Sequence, residues 1–131
     1  MSSYPDDRFY SKSHEWIRVE GETATIGITD HAQKELGDVV LVELPDVGEI
    51  FDEGQEFGTI ESVKAVSELF LPVAGEIVEV NKGLVDEPNA VNEDPHGDGW
   101  LVKVKVTSDG ALDGLMNATA YEKFVEEEAK A

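Results

Sequence analysis

A β-sandwich closed by a small helical tail is the fold that this chain predicts. Three observations carry the prediction. Short segments of alternating apolar and polar residues recur between His14 and Val106, and glycine- and proline-bearing turn signals separate them. After Thr107 the apolar period changes from that of a strand to that of a helix. At 131 residues the length predicts one domain, 1–131, with a core over about 9–106 and a helical extension over about 108–128.

The elements follow in order. "HEWIRVE" (His14–Glu20) and "TATIGI" (Thr23–Ile28) read as two strands joined by the glycine-bearing turn "EGE". "TDHAQKELG" offers Asp30 as a helix cap, with Gln33 three residues on and Gly37 as the stop, so one or two helical turns are expected. "DVVLVEL" (Asp38–Leu44) is a strand ended by "PDVG"; the short piece "EIF" and a turn at "DEG" come next. "EIVEVN" (Glu76–Asn81) is a further strand. The irregular stretch 82–99, with two prolines and three glycines, has room for one helical turn. "WLVKVKV" (Trp100–Val106) alternates strictly, setting Lys103 and Lys105 opposite Val102, Val104 and Val106, as a half-buried strand does. The run 108–116 predicts a short helix weakened by glycines. The last helix opens on Thr119 and Glu122 at capping-box spacing and carries an apolar stripe of Tyr121, Phe124 and Val125. Finally, "VGEI" (Val47–Ile50) and "AGEI" (Ala74–Ile77) echo one another after Pro45 and Pro72, which predicts two similar β-units about a pseudo-twofold axis.

Between the echoes lies "GTIESVKAVSELFLP", residues 58–72, with its one positive charge at Lys64. A single strand from Glu56 to Leu71 would exceed the usual length of about 3–10 residues. Its alternation also breaks, since Phe57 and Ile60 are out of phase and Val63 and Val66 cannot both share a face with Phe57. The chain is therefore expected to reverse within Ser62–Ala65, in a type I turn that places Lys64 third, at a hairpin tip. A turn lysine is usually just solvated. Here small and apolar neighbours flank it where Asn-Gly or Asp-Gly would fold more readily, so the tip reads as built to present a lysine.

Composition narrows the function classes. The formal charge of −19 would repel nucleic acid and anionic membranes. Most of that charge serves solubility; a fraction is available to steer basic docking faces. Absence of cysteine excludes disulfides, thiolate metal sites and cysteine nucleophiles. His14, His31 and His96 show no H-x-x-x-H-type spacing, so no metal site is expected, and His31 reads as a packed or capping residue. No nucleophile–histidine set supports a hydrolase. Residues 1–10 are polar, without the apolar core of a signal peptide, and no apolar run approaches membrane-spanning length. A soluble cytoplasmic protein is the expectation.

The run "ESVKA" (Glu61–Ala65) resembles the lipoylation signature of the glycine cleavage system H protein family. "SHEWIR", "GITDHAQKELGDVV", "VELP", "PVAGEIVEVN" and "DGWLVKV" look like that family in the same order, so the resemblance spans about Phe9 to Glu128. It implies a barrel-sandwich hybrid of the lipoyl/biotinyl type: two small antiparallel sheets with pseudo-twofold symmetry, short helices and a C-terminal helical tail. Biotin carriers have methionine beside the modified lysine; Val63 and Ala65 stand here, which favours lipoyl.

The resemblance further implies a non-catalytic carrier with lipoic acid bound covalently to Lys64, and Glu61, Ser62, Val63 and Ala65 as the residues recognised for attachment. Its cargo is the aminomethyl group of glycine. The implied partners are glycine decarboxylase, an aminomethyltransferase, dihydrolipoamide dehydrogenase and lipoyl-attaching enzymes, served by a monomer. By position, Glu15 and Glu68 match the acidic residues of a cleft that shelters the loaded arm. Some family members carry a histidine near the end of the short helix, where this chain has Lys34 and Glu35. The alternative role is a lipoyl relay that serves lipoylation of other complexes.

Overall fold

Among the described residues, nine strands and four helices form two antiparallel sheets with a helical flank. The structure is a computed structural model and describes residues 4–106 and 114–130. In chain order the elements are β1 (Phe9–Tyr10), β2 (Glu15–Glu20), β3 (Thr23–Ile28), α1 (Asp30–Leu36), β4 (Val39–Glu43), β5 (Ile50–Phe51) and β6 (Glu56–Ser62). They continue with β7 (Val66–Phe70), β8 (Gly75–Val80), α2 (Gly83–Asp86), α3 (Ala90–Glu93), β9 (Val102–Val106) and α4 (Ala118–Lys130). The larger sheet runs β1-β2-β3-β9-β8-β5 and the smaller β4-β6-β7. The sandwich and its helical tail thus match the expected architecture.

Both sheets contribute inward side chains to the main core: Ile17, Ile26, Val102 and Val104 from the larger, Ile60 and Leu69 from the smaller. β9 follows its alternation, burying Val102 and Val104 while Lys105 is exposed. β2 does not alternate. Glu15, Trp16 and Ile17 are all buried, because α4 covers the face that a solvated strand would leave polar. Trp16 joins Tyr10, Ala118 and Tyr121 in a second apolar cluster, against which Phe124 and Val125 pack. The apolar stripe of α4 is thereby accounted for.

The sequence echo has a direct structural counterpart. Ile50 pairs with Glu76, and Ile77 N–H donates to the Glu49 carbonyl at 2.8 Å. Glu49 and Ile50 are the residues that repeat as Glu76 and Ile77, so these two contacts are equivalent under exchange of the echoed segments. The two copies pair antiparallel across a local twofold.

Three expectations need correction. The cap of α1 is Thr29, not Asp30: Thr29 Oγ1 accepts from Ala32 N–H at 3.2 Å. Asp30 lies inside the first turn, where its carboxylate takes the Gln33 amide at 2.8 Å and the Lys34 ammonium at 3.0 Å. α4 begins before its supposed capping box, because Asn117 Oδ1 accepts from Ala120 N–H at 2.8 Å and leaves Thr119 within the helix. The stretch 82–99 holds two short helices rather than one turn; Leu84 and Val91 bury themselves, and that burial sustains each. The helix expected over 108–116 falls largely outside the described residues, and its end, Met116, forms a β-bridge with Tyr10.

Candidate functional site: the Lys64 hairpin and its cleft

β6 and β7 pair antiparallel, Glu61 against Val66, and the chain reverses through Ser62–Ala65. Ser62 builds this turn. Its N–H donates to the Ala65 carbonyl at 2.8 Å, and its Oγ accepts from Ala65 N–H at 3.1 Å. Neither Val63 nor Lys64 has positive φ, so the turn is not of the primed kind, in keeping with the type I geometry expected. Lys64 is exposed at the tip, and among the described residues its ammonium has no hydrogen-bond or ion-pair partner. Val63 and Val66 beside it are 69% and 65% exposed.

The tip is braced from the smaller sheet. Val63 N–H donates to the Asp38 carbonyl at 3.0 Å, and Ser62 pairs with Val39. Gly37, the cap of α1, has φ of +79°, a region that disfavours side chains. A Cβ there would also stand 3.2 Å from Lys64 Cε, so the lysine stem crosses over bare backbone. Asn92 on α3 locks this corner: its Oδ1 accepts from Val39 N–H and its Nδ2 donates to the Gly37 carbonyl, both at 2.8 Å. Sequence reasoning missed Asn92, since nothing along the chain links it to Lys64. Asn92→Ala strands one backbone donor and one acceptor, and is expected to cost about 1–3 kcal/mol in urea unfolding. A change within experimental error would show that the brace carries no strain of the corner.

From the tip, β7 runs along one wall of a cleft of about 280 Å³. Ala65, Val66, Ser67, Glu68 and Leu69 form that wall; Ser13, His14, Glu15, Ile28 and α1 residues Ala32, Glu35 and Leu36 form the rest. Glu15 and Glu68, distant in sequence, therefore line one cavity that begins beside Lys64. Another hollow of about 310 Å³, around Glu56–Thr59, lies at the far end of β6 from the tip.

The two carboxylates differ in kind. Glu68 is exposed, whereas Glu15 is 2% exposed. Glu15 Oε1 accepts from Ser11 Oγ at 2.6 Å and from Ser13 Oγ. Its Oε2 receives only a long 3.4 Å contact from Phe70 N–H. Burial pushes the Glu15 carboxyl above the ordinary range, while the serine hydroxyls and the Phe70 amide pull the other way. Oε2 is thus a desolvated carboxyl oxygen with spare accepting capacity, suited to an arriving ammonium.

Of the residues expected to be recognised for attachment, Glu61, Val63 and Ala65 are exposed around the tip. Ser62 is turned inward at 6% exposure, with its hydroxyl engaged by the turn. What Ser62 offers a partner is the shape of the turn. His96 is likewise structural: its carbonyl accepts from Arg8 at 2.7 Å and its Nε2 from Asp30 N–H at 3.1 Å.

Two antiparallel sheets, a local dyad between the echoed segments and an exposed lysine on a hairpin tip define the class of lipoyl- and biotinyl-type carrier domains. Comparison with known proteins narrows this. The profile of the family described as "Glycine cleavage H-protein" matches residues 8–128. The chain is 55% identical over 129 residues to the glycine cleavage system H protein of Herpetosiphon aurantiacus, covering 98% of each chain. It is 54% identical to that of Chromohalobacter salexigens, again over 98% of both. A crystal structure of a glycine cleavage system H protein from Mycobacterium marinum superposes with a TM-score of 0.85 at 42% identity, covering 92% of this chain and 97% of that one. The chain belongs to the glycine cleavage H-protein family.

Proposed function

We propose that this protein is the lipoyl carrier of the glycine cleavage system, with Lys64 as the attachment point. The observation that supports this best is the tip itself: an exposed lysine without a partner among the described residues, on a braced turn, opening onto a cleft with apolar walls and acidic ends. Joined to Lys64 Nζ as an amide, the lipoyl group supplies a redox-active disulfide on a flexible arm. The chain's own residues do the rest and catalyse nothing themselves.

Exposed Glu61, Val63 and Ala65 give an attaching enzyme its contacts, and Ser62 sets the turn it reads. The same exposed tip then meets glycine decarboxylase, an aminomethyltransferase and dihydrolipoamide dehydrogenase in succession. Val66, Leu69, Ile28, Ala32 and Leu36 offer apolar surface along the cleft for the arm's hydrocarbon. Glu15 Oε2 and Glu68 offer negative charge to the cationic aminomethyl cargo, and a closed cleft keeps water from it. In this reading the protein works as a monomer in the cytoplasm, and no helix among the described residues is long and apolar enough to cross a membrane. A lipoyl relay needs the same hairpin, but the names of the relatives favour the glycine cleavage role.

The test is reconstitution: lipoylated protein, purified decarboxylase and glycine, with carbon dioxide exchange as the readout. Exchange that depends on the carrier supports the proposal, and none with a fully lipoylated sample sinks it. The cleft is tested separately. Glu15→Gln with Glu68→Gln is expected to lose the aminomethyl group from the loaded protein, by hydrolysis to formaldehyde and ammonia, about tenfold faster, as loss of a charge-assisted hydrogen bond implies, while lipoylation persists. An unchanged release rate would remove both acids from the site.

A further inference from the structure

One side of the cleft continues into a cluster that the carrier role does not use. His14 immediately precedes β2, His31 lies in the first turn of α1, and Glu128 is near the end of α4. His14 Nε2 stands 3.3 Å from Glu128 Oε1, and His31 Nε2 stands 4.0 Å from the same oxygen. One ligand atom from each residue lies within 4.8 Å of the other two. The histidine side chains are 18% and 16% exposed and that of Glu128 is 46% exposed, so the imidazoles are half-buried while the carboxylate opens to solvent.

These groups face each other through one long hydrogen bond, between His14 and Glu128, and a looser contact from His31. Separations of 3.3 and 4.0 Å are longer than a good hydrogen bond. They are close to the spacing of ligands that share a metal: bonds of about 2.0–2.2 Å in a tetrahedron put ligand atoms roughly 3.3 Å apart. The His14–Glu128 pair already has that spacing, and the ligand atom of His31 lies within 4.8 Å of both. Glu35, one helical turn beyond His31, has Oε1 3.7 Å from His31 Nε2 and an exposed side chain free to complete a set of four.

The imidazole of His14 is also held in a ligating pose from behind. Its Nδ1 hydrogen-bonds with the Tyr121 hydroxyl at 2.7 Å, and that hydroxyl bonds with Thr29 Oγ1 at 2.7 Å. An outer hydrogen bond of this kind selects the ring nitrogen presented to a metal and fixes the ring's direction. The backbone contributes as well. His14 has φ of +70°, the one positive value among described non-glycine residues, a conformation that persists where its surroundings enforce it.

We propose that His14 Nε2, His31 Nε2 and Glu128, with Glu35 as fourth ligand, bind a divalent transition-metal ion of the zinc class. Two imidazoles with carboxylates suit such an ion better than calcium or magnesium, which prefer oxygen alone. Bound there, the ion ties α4 to α1 and to the start of β2. The spacing along the chain gives no hint of this, because three separate elements supply the ligands. The proposal does not depend on Lys64 or on the lipoyl arm.

The test uses the full, untagged, unlipoylated chain, so that neither a purification tag nor the arm's sulfurs compete. Titration with Zn²⁺ by calorimetry is expected to show one equivalent bound, and Co²⁺ to give the intense visible bands of a tetrahedral site. His31→Ala and Glu128→Gln should each weaken Zn²⁺ at least tenfold, whereas Glu126→Gln on the same helix should leave it unchanged. Zn²⁺ should raise the melting temperature of the parent chain and not that of His31→Ala. Three results would each overturn the site: no saturable binding, equal affinity after His31→Ala, or equal weakening by Glu126→Gln and Glu128→Gln. Glu128→Gln is isosteric and exposed, so its result stands even if His31→Ala folds poorly.

Discussion

Lys64→Arg is expected to abolish carrier activity while leaving the fold intact. Arginine keeps the charge and nearly the length of lysine, but its guanidinium does not accept an acyl group as the lysine amine does. The variant should emerge from a lipoylating host without an adduct, and carbon dioxide exchange with the decarboxylase should fall to background. Thermal unfolding should be unchanged, because the side chain is exposed and without a partner among the described residues, and the turn is built by Ser62 and Ala65. The pairing of the two readouts matters. Loss of activity together with stability would indicate a structural lysine, and retained activity would place the arm elsewhere.

Trp16→Ala is expected to show the reverse: the largest stability loss, with the attachment site spared. Trp16 is 1% exposed and centres the cluster that seats α4. Its indole lies across Gly27, where an added Cβ would meet the ring at 2.7 Å, so the two positions are matched in shape. Its Nε1 donates to the Pro95 carbonyl at 2.8 Å, and the Arg8 guanidinium sits 4.5 Å from the ring centroid. Truncation leaves a cavity, an orphaned carbonyl and a buried arginine without its aromatic face. A cost of about 3–5 kcal/mol follows from the cavity and lost transfer energy, a large share of the 5–15 kcal/mol typical of whole domains. The melting temperature should drop by roughly 10–20 °C. At low temperature the folded fraction should still be lipoylated, since the hairpin packs in the other cluster through Ile60 and Leu69. A drop under about 5 °C would mean that α4 and its cluster contribute little to cooperative unfolding.

Local signals read well where one face of an element meets water. β9 shows its alternation openly, and the strand-length limit locates the hairpin correctly, whereas the phase break between Phe57 and Ile60 reflects a β-bulge near the start of β6, which lets both residues be buried in one strand. Local signals fail where tertiary contacts intervene. Asp30 has the composition of a cap, but Thr29 takes the role, and its hydroxyl is also bonded to Tyr121 of α4. β1 is two residues long and is held by its partners, β2 on one side and the Met116 bridge on the other. The candidate site divides in the same way. Lys64 and its turn are contiguous and therefore visible. Glu15 and Glu68 were matched through family resemblance, and only the fold places them in one cleft. Asn92 and the His14–His31–Glu128 cluster are assembled from separate elements, so no window of the sequence contains them.

The central claim is that Lys64 is a covalent attachment point rather than a functional cation. Peptide mapping by mass spectrometry, after production of the wild-type chain with a lipoyl-attaching enzyme, tests it most directly. The account predicts one lipoyl group, carried by the peptide that contains Lys64. A lipoyl group on another lysine, or an unmodified chain under conditions that lipoylate a known carrier, would contradict it.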